Sequence, residues 1–377
     1  MTGQQRIVVL GAGYAGLSAA RRLAGKTGDT TITVVDTRVE FVERVRLHQA
    51  VAGQSIRRWD LREMLERKGI EFVRARVTDL DPIAKRVRLD GERSIAYDTL
   101  VYALGSAADR SSVPGIAEYA RSVATPEDVQ ALPRGPVVVV GAGSTGIELA
   151  AELAESHRDS GAAGDDELTT GIQEFATVTL LGSEEPGAWL SALAADHVRA
   201  TLTRLGVEIR SGVKVAEVLP DGVRLVDGTV VPASAVVWTA GFTVPDLARR
   251  AGLDVDGQGR IRTDETLRSL SHPDIYAAGD AALIDGPGDR PLRMACATAL
   301  PTGSYVGRAI LARAHGTEPK PMTFRYQVQC ISLGRRDAVI QFLNADDTPA
   351  TRVLRGRTGA WVKETIVRIA GKAAGLR

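Results

Sequence analysis

Arg6-Ile7-Val8-Val9-Leu10-Gly11-Ala12-Gly13-Tyr14-Ala15-Gly16 is the stretch on which the reading of the fold turns. Its first five residues form an apolar, β-branched run, and Leu17 to Ala24 beyond it is rich in Ala, Leu and Arg, so the order is strand, tight turn, helix. Gly11 permits the turn, Gly13 lets the backbone approach a pyrophosphate and Gly16 lets helix pack closely on strand, while the helix N-terminus supplies N–H groups and a positive dipole. Thr31 to Val35 is a second buried strand, ending on Asp36, 25 residues after Gly11, where a carboxylate can accept hydrogen bonds from a ribose.

The same plan returns at Val137-Val138-Val139-Val140, Gly141-Ala142-Gly143-Ser144-Thr145-Gly146 and a helical stretch from Ile147 to about Ser156. Leu100-Val101-Tyr102-Ala103-Leu104-Gly105 closes 94 residues after Gly11, and Val236-Val237-Trp238-Thr239-Ala240-Gly241 closes 100 after Gly141, which is the spacing of an internal duplication. Alternating runs broken at Asp90-Gly91, Asp221-Gly222 and Asp227-Gly228 signal hairpins within each copy. Residues 106–136, punctuated by Pro and Gly, read as the linker into the second copy, and Arg158 to Glu174 as a mobile surface insertion. Ile275-Tyr276-Ala277-Ala278-Gly279-Asp280 places a carboxylate at a further strand end. A helix from about Thr298 to Ala314, a hairpin over Phe324 to Phe342 and a helix over Trp361 to Ala374 complete the chain.

With 377 residues, two or three domains of about 150 are expected. A 44% hydrophobic and 25% charged composition is that of a chain with ordinary cores, which excludes a disordered protein. The net charge of +1 gives no overall attraction for nucleic acid. Cys296 and Cys330 make neither a disulfide scaffold nor a metal-ligand cluster, which fits a reducing cytosol. No export signal precedes the first strand, and runs such as Ala233 to Ala240 fall short of the roughly 18 residues that span a bilayer, so a cytoplasmic location is expected.

GAGYAG, Asp36, YALG, GAGSTGIELA, WTAG and YAAGD occur in one order over nearly the whole chain, and this series resembles the two-dinucleotide-binding-domain flavoproteins. Within them GAGSTGIELAAEL is most similar to the type II NADH dehydrogenases; the dithiol branch is disfavoured because no CxxxxC or CxxC is present. The resemblance implies an α/β protein of two Rossmann-like (three-layer ββα) domains, the NAD(P) domain inserted in the FAD domain, plus a small C-terminal α+β region. Residues 1–110 and 242–318 then bind FAD, 111–241 bind NAD(P)H, and 319–377 form the interface or acceptor side. It implies FAD contacts at Gly11, Gly13, Tyr14, Ala15, Gly16, Asp36, Thr37, Arg44, Arg46, Val77, Ala103, Leu104, Gly105, Gly279, Asp280, Ala297 and Thr298, with Asp280 at the ribityl and phosphate region. NAD(P)H contacts fall on Gly141, Gly143, Ser144, Thr145, Gly146, Glu148, Gly182, Ser183, Glu184, Ala240 and Gly241. Gly182 occupies the corner where an acid would favour NADH; Glu184 or Glu185 can reach the ribose and no Arg or Lys stands nearby in the sequence, which favours NADH over NADPH.

The implied reaction passes hydride from NADH or NADPH to FAD and electrons on to a quinone or other small acceptor. Glu148 lies beside the flavin in the resembled family, steering nicotinamide or relaying a proton; the alternative is a first-turn Glu favoured by the helix dipole. Glu43 to Gln49 crosses the flavin in this fold, where Arg44 and Arg46 can hold pyrophosphate and His48 can donate a proton; the alternative is solvated charge. The AQxAxQ-like quinone stretch of the family is Cys296-Ala297-Thr298-Ala299-Leu300-Pro301 here, without either glutamine. A biosynthetic flavoenzyme acting on a specialised metabolite and a non-turnover NAD(P)H sensor therefore stay open beside the dehydrogenase. Cys296 reads as a packed thiol. Trp361, Ile366, Ile369, Ala370 and Ala373 share a helix face, with Lys363, Arg368 and Lys372 elsewhere, which suits a peripheral membrane dock, the protein's own body or a second subunit of a homodimer.

Overall fold

The all-apolar runs Ile7 to Leu10 and Val137 to Val140 become the centres of two five-stranded parallel sheets in the computed structural model, which describes residues 5–26, 30–129, 131–161 and 177–376. Strands covered on both faces have no use for polar alternation, and these are fully buried.

β1 (Arg6–Leu10), α1 (Tyr14–Leu23) and β2 (Thr31–Asp36) form the first unit, followed by α2 (Leu47–Val51) and β3 (Glu71–Arg74). An antiparallel sheet, β4 (Val77–Asp81), β5 (Arg86–Leu89) and β6 (Ser94–Ala96), precedes β7 (Thr99–Tyr102). The second unit repeats this with β8 (Ala120–Arg121), β9 (Val137–Val140), α3 (Ser144–Gly161), β10 (Val178–Leu181), α4 (Ala192–Leu205) and β11 (Glu208–Arg210). A matching antiparallel sheet, β12 (Val215–Leu219), β13 (Gly222–Leu225) and β14 (Val230–Pro232), leads to β15 (Ala235–Trp238). Then come β16 (Ile275–Ala277), α5 (Cys296–Ala314), the antiparallel β17 (Val328–Ser332), β18 (Ala338–Leu343) and β19 (Pro349–Arg355), and α6 (Gly356–Ala374).

The sheets run β16-β7-β1-β2-β3 and β8-β15-β9-β10-β11, so strand for strand one copies the other. Every strand of the second lies between β7 and β16 in the chain, which is an insertion of one unit in the other. The predicted Asp-Gly turns join β5 to β6, β12 to β13 and β13 to β14. The predicted linker contains β8, an edge strand of the second sheet.

Several expectations are corrected. α3 continues to Gly161, so the start of the expected insertion is helix; residues 162–176 lie outside the described residues. α4 was not anticipated, although its buried Ala194, Val198, Leu202 and Leu205 follow a helical period. α6 begins at Gly356 and turns a small-residue face to the protein's own body, so of the three expected neighbours of the Trp361–Ile369 stripe the body is the one excluded. Trp361 and Ile369 are 70% and 61% exposed, while Gly359, Gly371 and Ala374 are buried. Close approach decides this: a Cβ on Gly359 would stand 2.4 Å from the Ala338 carbonyl oxygen.

α1 and α5 pack through small residues, and a Cβ on Gly303 would stand 2.0 Å from the Ala15 carbonyl oxygen. Gly303→Ala is therefore expected to destabilise the protein by about 1–3 kcal/mol. A urea-unfolding midpoint equal to that of the wild type would refute this helix contact.

Candidate functional site

The first glycine turn is held from three sides. Gly11 has φ +96° and would place a Cβ 2.4 Å from the Ala103 carbonyl oxygen, and Gly16 would place one 1.9 Å from the Gly11 carbonyl oxygen. Asp36 accepts from the N–H of Ala12 at 2.7 Å and of Arg38 at 2.9 Å, clamping the loop to the strand end, with Thr37 exposed between. The Ala75 N–H donates to the Asp36 carbonyl oxygen at 2.9 Å, bringing the turn before Val77 alongside. Around Gly13, by contrast, no atom lies within 4 Å of where a Cβ would stand, and the buried Tyr14 hydroxyl has no partner.

Asp280 completes this first site. Its Oδ2 accepts from the Ser106 hydroxyl at 2.6 Å, and its Oδ1 is buried without a partner. Arg44 donates to the Ser106 carbonyl oxygen at 3.0 Å; burial lowers its pKa and the Asp280 charge opposes that. Gly279 donates to Thr302 Oγ1 at 3.0 Å and approaches Ala15, so residues 11–16, 103–106 and 279–280 converge. An open glycine cradle beside a buried carboxylate oxygen in need of a donor fits the ribityl and phosphate part of FAD. Arg46 is drawn elsewhere, to Glu43 at 3.0 Å and Glu364 at 2.9 Å, which corrects its expected place on the pyrophosphate. Thr298 is buried with its hydroxyl on the Arg293 carbonyl oxygen at 2.8 Å, and Ala297 is exposed. Cys296, expected to be packed, is exposed at the opening residue of α5. Burial pushes the Cys330 thiol up to about 12.

The second turn repeats the geometry. A Cβ on Gly146 would stand 1.8 Å from the Gly141 carbonyl oxygen, and Gly143 has open space. The Thr239 hydroxyl binds the carbonyl oxygens of Val140 at 2.9 Å and Gly141 at 3.0 Å, and the Ala240 carbonyl accepts from Trp238 Nε1 at 2.6 Å, next to Gly241. Thr145 opens the helix beside Ser144, and Ser183 and Glu184 are exposed beyond Gly182. The Gly182 N–H donates to the Arg210 carbonyl at 3.0 Å, so strand pairing brings a basic residue to a corner that sequence order left without one. Its guanidinium is engaged by Glu208 at 2.7 Å.

Glu148, in the second turn of α3, joins three elements. Its Oε1 accepts from the Ser332 N–H at 3.0 Å and from the Lys363 ammonium, and His48 Nδ1 lies 3.9 Å from Oε2. Burial holds His48 well below its usual pKa, helped by the charges of Lys363, Arg335 and Arg46, and its Nε2 has no partner. Burial thus opposes the charged form of the imidazole that the sequence offers as a proton donor. Lys363, assigned by sequence to the polar side of its helix, points inward, and burial with the Arg46 charge pulls it down to about 7. One turn along α3, Glu152 accepts from Gln54 at 2.7 Å, and burial pushes it up to about 7. Lys363, Ser332, Glu152 and Gln54 lie far apart in sequence, and no local pattern marks them. Among the described residues no group of His, Cys, Asp and Glu could hold a metal ion.

Residues 5–303 match the model of the pyridine nucleotide-disulphide oxidoreductase family, and the chain belongs to that family. It is an oxidoreductase that uses FAD and NAD(P)H. An NADH dehydrogenase-like protein of Mycobacterium tuberculosis is 33% identical over 355 residues, covering 89% of this chain and 87% of the relative. A type II NADH:quinone oxidoreductase of the same organism is 27% identical, covering 84% and 74%. The solved structure of NDH2 from Plasmodium falciparum in complex with NADH superposes with a TM-score of 0.81 at 14% identity, covering 98% of this chain and 97% of that one, a likeness of fold.

Glu152 gives a pH test. Its folded pKa is raised from 4.5 to about 7, so its contribution to stability is present below pH 4.5 and is lost as pH rises through 7. Glu152→Gln is expected to remove that decline in urea midpoint between pH 5 and 8 (about 1.4 kcal/mol per pH unit over the titration at most). Superimposable pH profiles of variant and wild type would rule the ionisation out.

Proposed function

We propose that the chain oxidises NADH through FAD and delivers the electrons to a quinone. The observation that carries this reading is the duplicated glycine turn, open at Gly13 and at Gly143, with the unpartnered Asp280 oxygen beside the first copy. The relatives named for NADH:quinone oxidoreduction support it. Residues 1–110 and 242–318 would hold FAD and 111–241 NADH, leaving 319–377 on the acceptor side.

Bound FAD would supply the ring that takes hydride and returns electrons. The protein's own residues orient and regulate. Asp280 and Arg44 hold the ribityl and phosphate region, the Gly13 turn and the α1 N-terminus receive pyrophosphate, and the α3 N-terminus does the same for NADH. The Glu148–Lys363 pair holds a proton at Lys363 Nζ, whose pKa of about 7 suits exchange near neutrality.

Among the described residues no helix is long and apolar enough to cross a membrane. Trp361 and Ile369, exposed on α6, support a peripheral contact with the inner face of a membrane or with a second subunit.

Anaerobic mixing with NADH is expected to bleach the flavin, and a quinone to restore it; a flavin that NADH leaves oxidised would overturn the reading. Asp280→Ala is expected to lose most of its flavin on purification. Glu148→Gln is expected to keep flavin but slow at least one half-reaction and move the pH midpoint of its rate, because Lys363 loses its counter-charge. Wild-type rates in both halves would remove Glu148 from the mechanism.

A further inference from the structure

A cavity of about 400 Å³ opens between the β17–β18 turn, the Val45 to Gln49 segment and the first three turns of α6. Its charges are unbalanced. Lys363 is answered by Glu148, and Arg46 by Glu43 and Glu364. Asp337 is occupied by His197 at 2.8 Å, Arg204 at 3.3 Å and the Gly356 N–H at 3.0 Å. Arg336 and Arg357 line the cavity with no acidic side-chain partner among the described residues, and Arg335, whose N–H donates to Glu155 and whose charge acts on Glu152, lines it with them. Three guanidinium groups from two elements share one concavity. Val45, Val367 and the Trp361 ring give it an apolar wall, and Lys363 forms part of its lining next to Glu148.

Concave sites concentrate ions of the opposite sign, and a guanidinium fork matches carboxylate, sulfonate and phosphate oxygens. The volume lies at the lower end of the range for small-ligand pockets, enough for a bicyclic ring and one substituent. An aromatic ring and a cluster of guanidinium groups lining one cavity describe a flat, apolar body with an acidic edge.

We propose that this cavity receives the electron acceptor and selects a quinone bearing an anionic substituent on its ring over an uncharged one. The proposal rests on the chain being an NADH-oxidising flavoprotein. The step balances: NADH gives two electrons and one proton through the flavin, the quinone takes two electrons and two protons, and the second proton comes from water. Arg335, Arg336 and Arg357 act on the substituent and set specificity.

The test compares 1,4-naphthoquinone-2-sulfonate with uncharged 2-methyl-1,4-naphthoquinone as acceptors for the holoenzyme with NADH. The wild type is expected to show the higher kcat/KM with the sulfonate, and salt at about 0.3 M to erode that preference. Arg336→Gln and Arg357→Gln are each expected to lower the sulfonate-to-neutral ratio about tenfold, with flavin content reporting the folded fraction. A wild-type preference for the neutral quinone, or an unchanged ratio in the double variant, would overturn the proposal. So would an effect of the variants confined to an acidic protein acceptor, which would make the arginines a protein-docking surface. Bleaching by NADH is read separately, so its failure would count against the NADH reading and not against the acceptor site alone.

Discussion

The part-buried carboxylate of Glu148 is the constraint on which the rest of this molecule depends. It belongs to the helix opened by the second glycine turn, yet its partners, Ser332 and Lys363, come from a hairpin and a helix outside both parallel sheets. An ion pair largely withdrawn from water adds little net stability, but removing one partner is costly because the other charge is stranded. The pair therefore specifies where the C-terminal region sits. Gln329 on Ser144 at 3.3 Å and the Arg335 N–H on Glu155 at 2.5 Å extend the same attachment along α3. Burial, helped by the positive charges of Lys363, Arg335 and Arg46, holds His48 well below its usual pKa.

The two sheets repeat one solution to a single problem, the approach of a helix N-terminus to a strand end, but they finish it differently. In the first copy carboxylates do the closing: Asp36 grips the turn, and Asp280 stands opposite with one oxygen unanswered. In the second, the Thr239 hydroxyl grips the turn and Gly182 leaves the corner without a side chain. A Cβ there would meet Ala142 at 2.6 Å. One fold thus offers two chemically distinct recesses, as an enzyme carrying hydride between two nucleotides requires.

Charge partition follows local geometry. Arg44 and Arg46 bound a single 3₁₀ turn. At three residues per turn, side chains two positions apart point about 120° away from each other. Arg44 accordingly reaches Ser106 near Asp280, while Arg46 reaches Glu364 on α6. The basic cluster seen in the sequence is one cluster only along the chain.

Much of this protein is written locally. Backbone conformation and side-chain period are short-range properties, so the glycine turns, the apolar strands, the Asp-Gly hairpins, the duplication and Asp280 were legible from residues within a few positions of one another. The sequence alone thereby determined a pair of dinucleotide-binding units and the family they belong to. Tertiary structure decided what occupies the space between them. Lys363 meets Glu148 across 215 residues and Ser332 meets it across 184. The inward face of α6 was chosen by how closely glycine lets it approach β18, against the apolar stripe that periodicity favours. Such contacts depend on where whole elements dock, and docking is settled by packing and the pairing of buried charge, which no window along the chain contains.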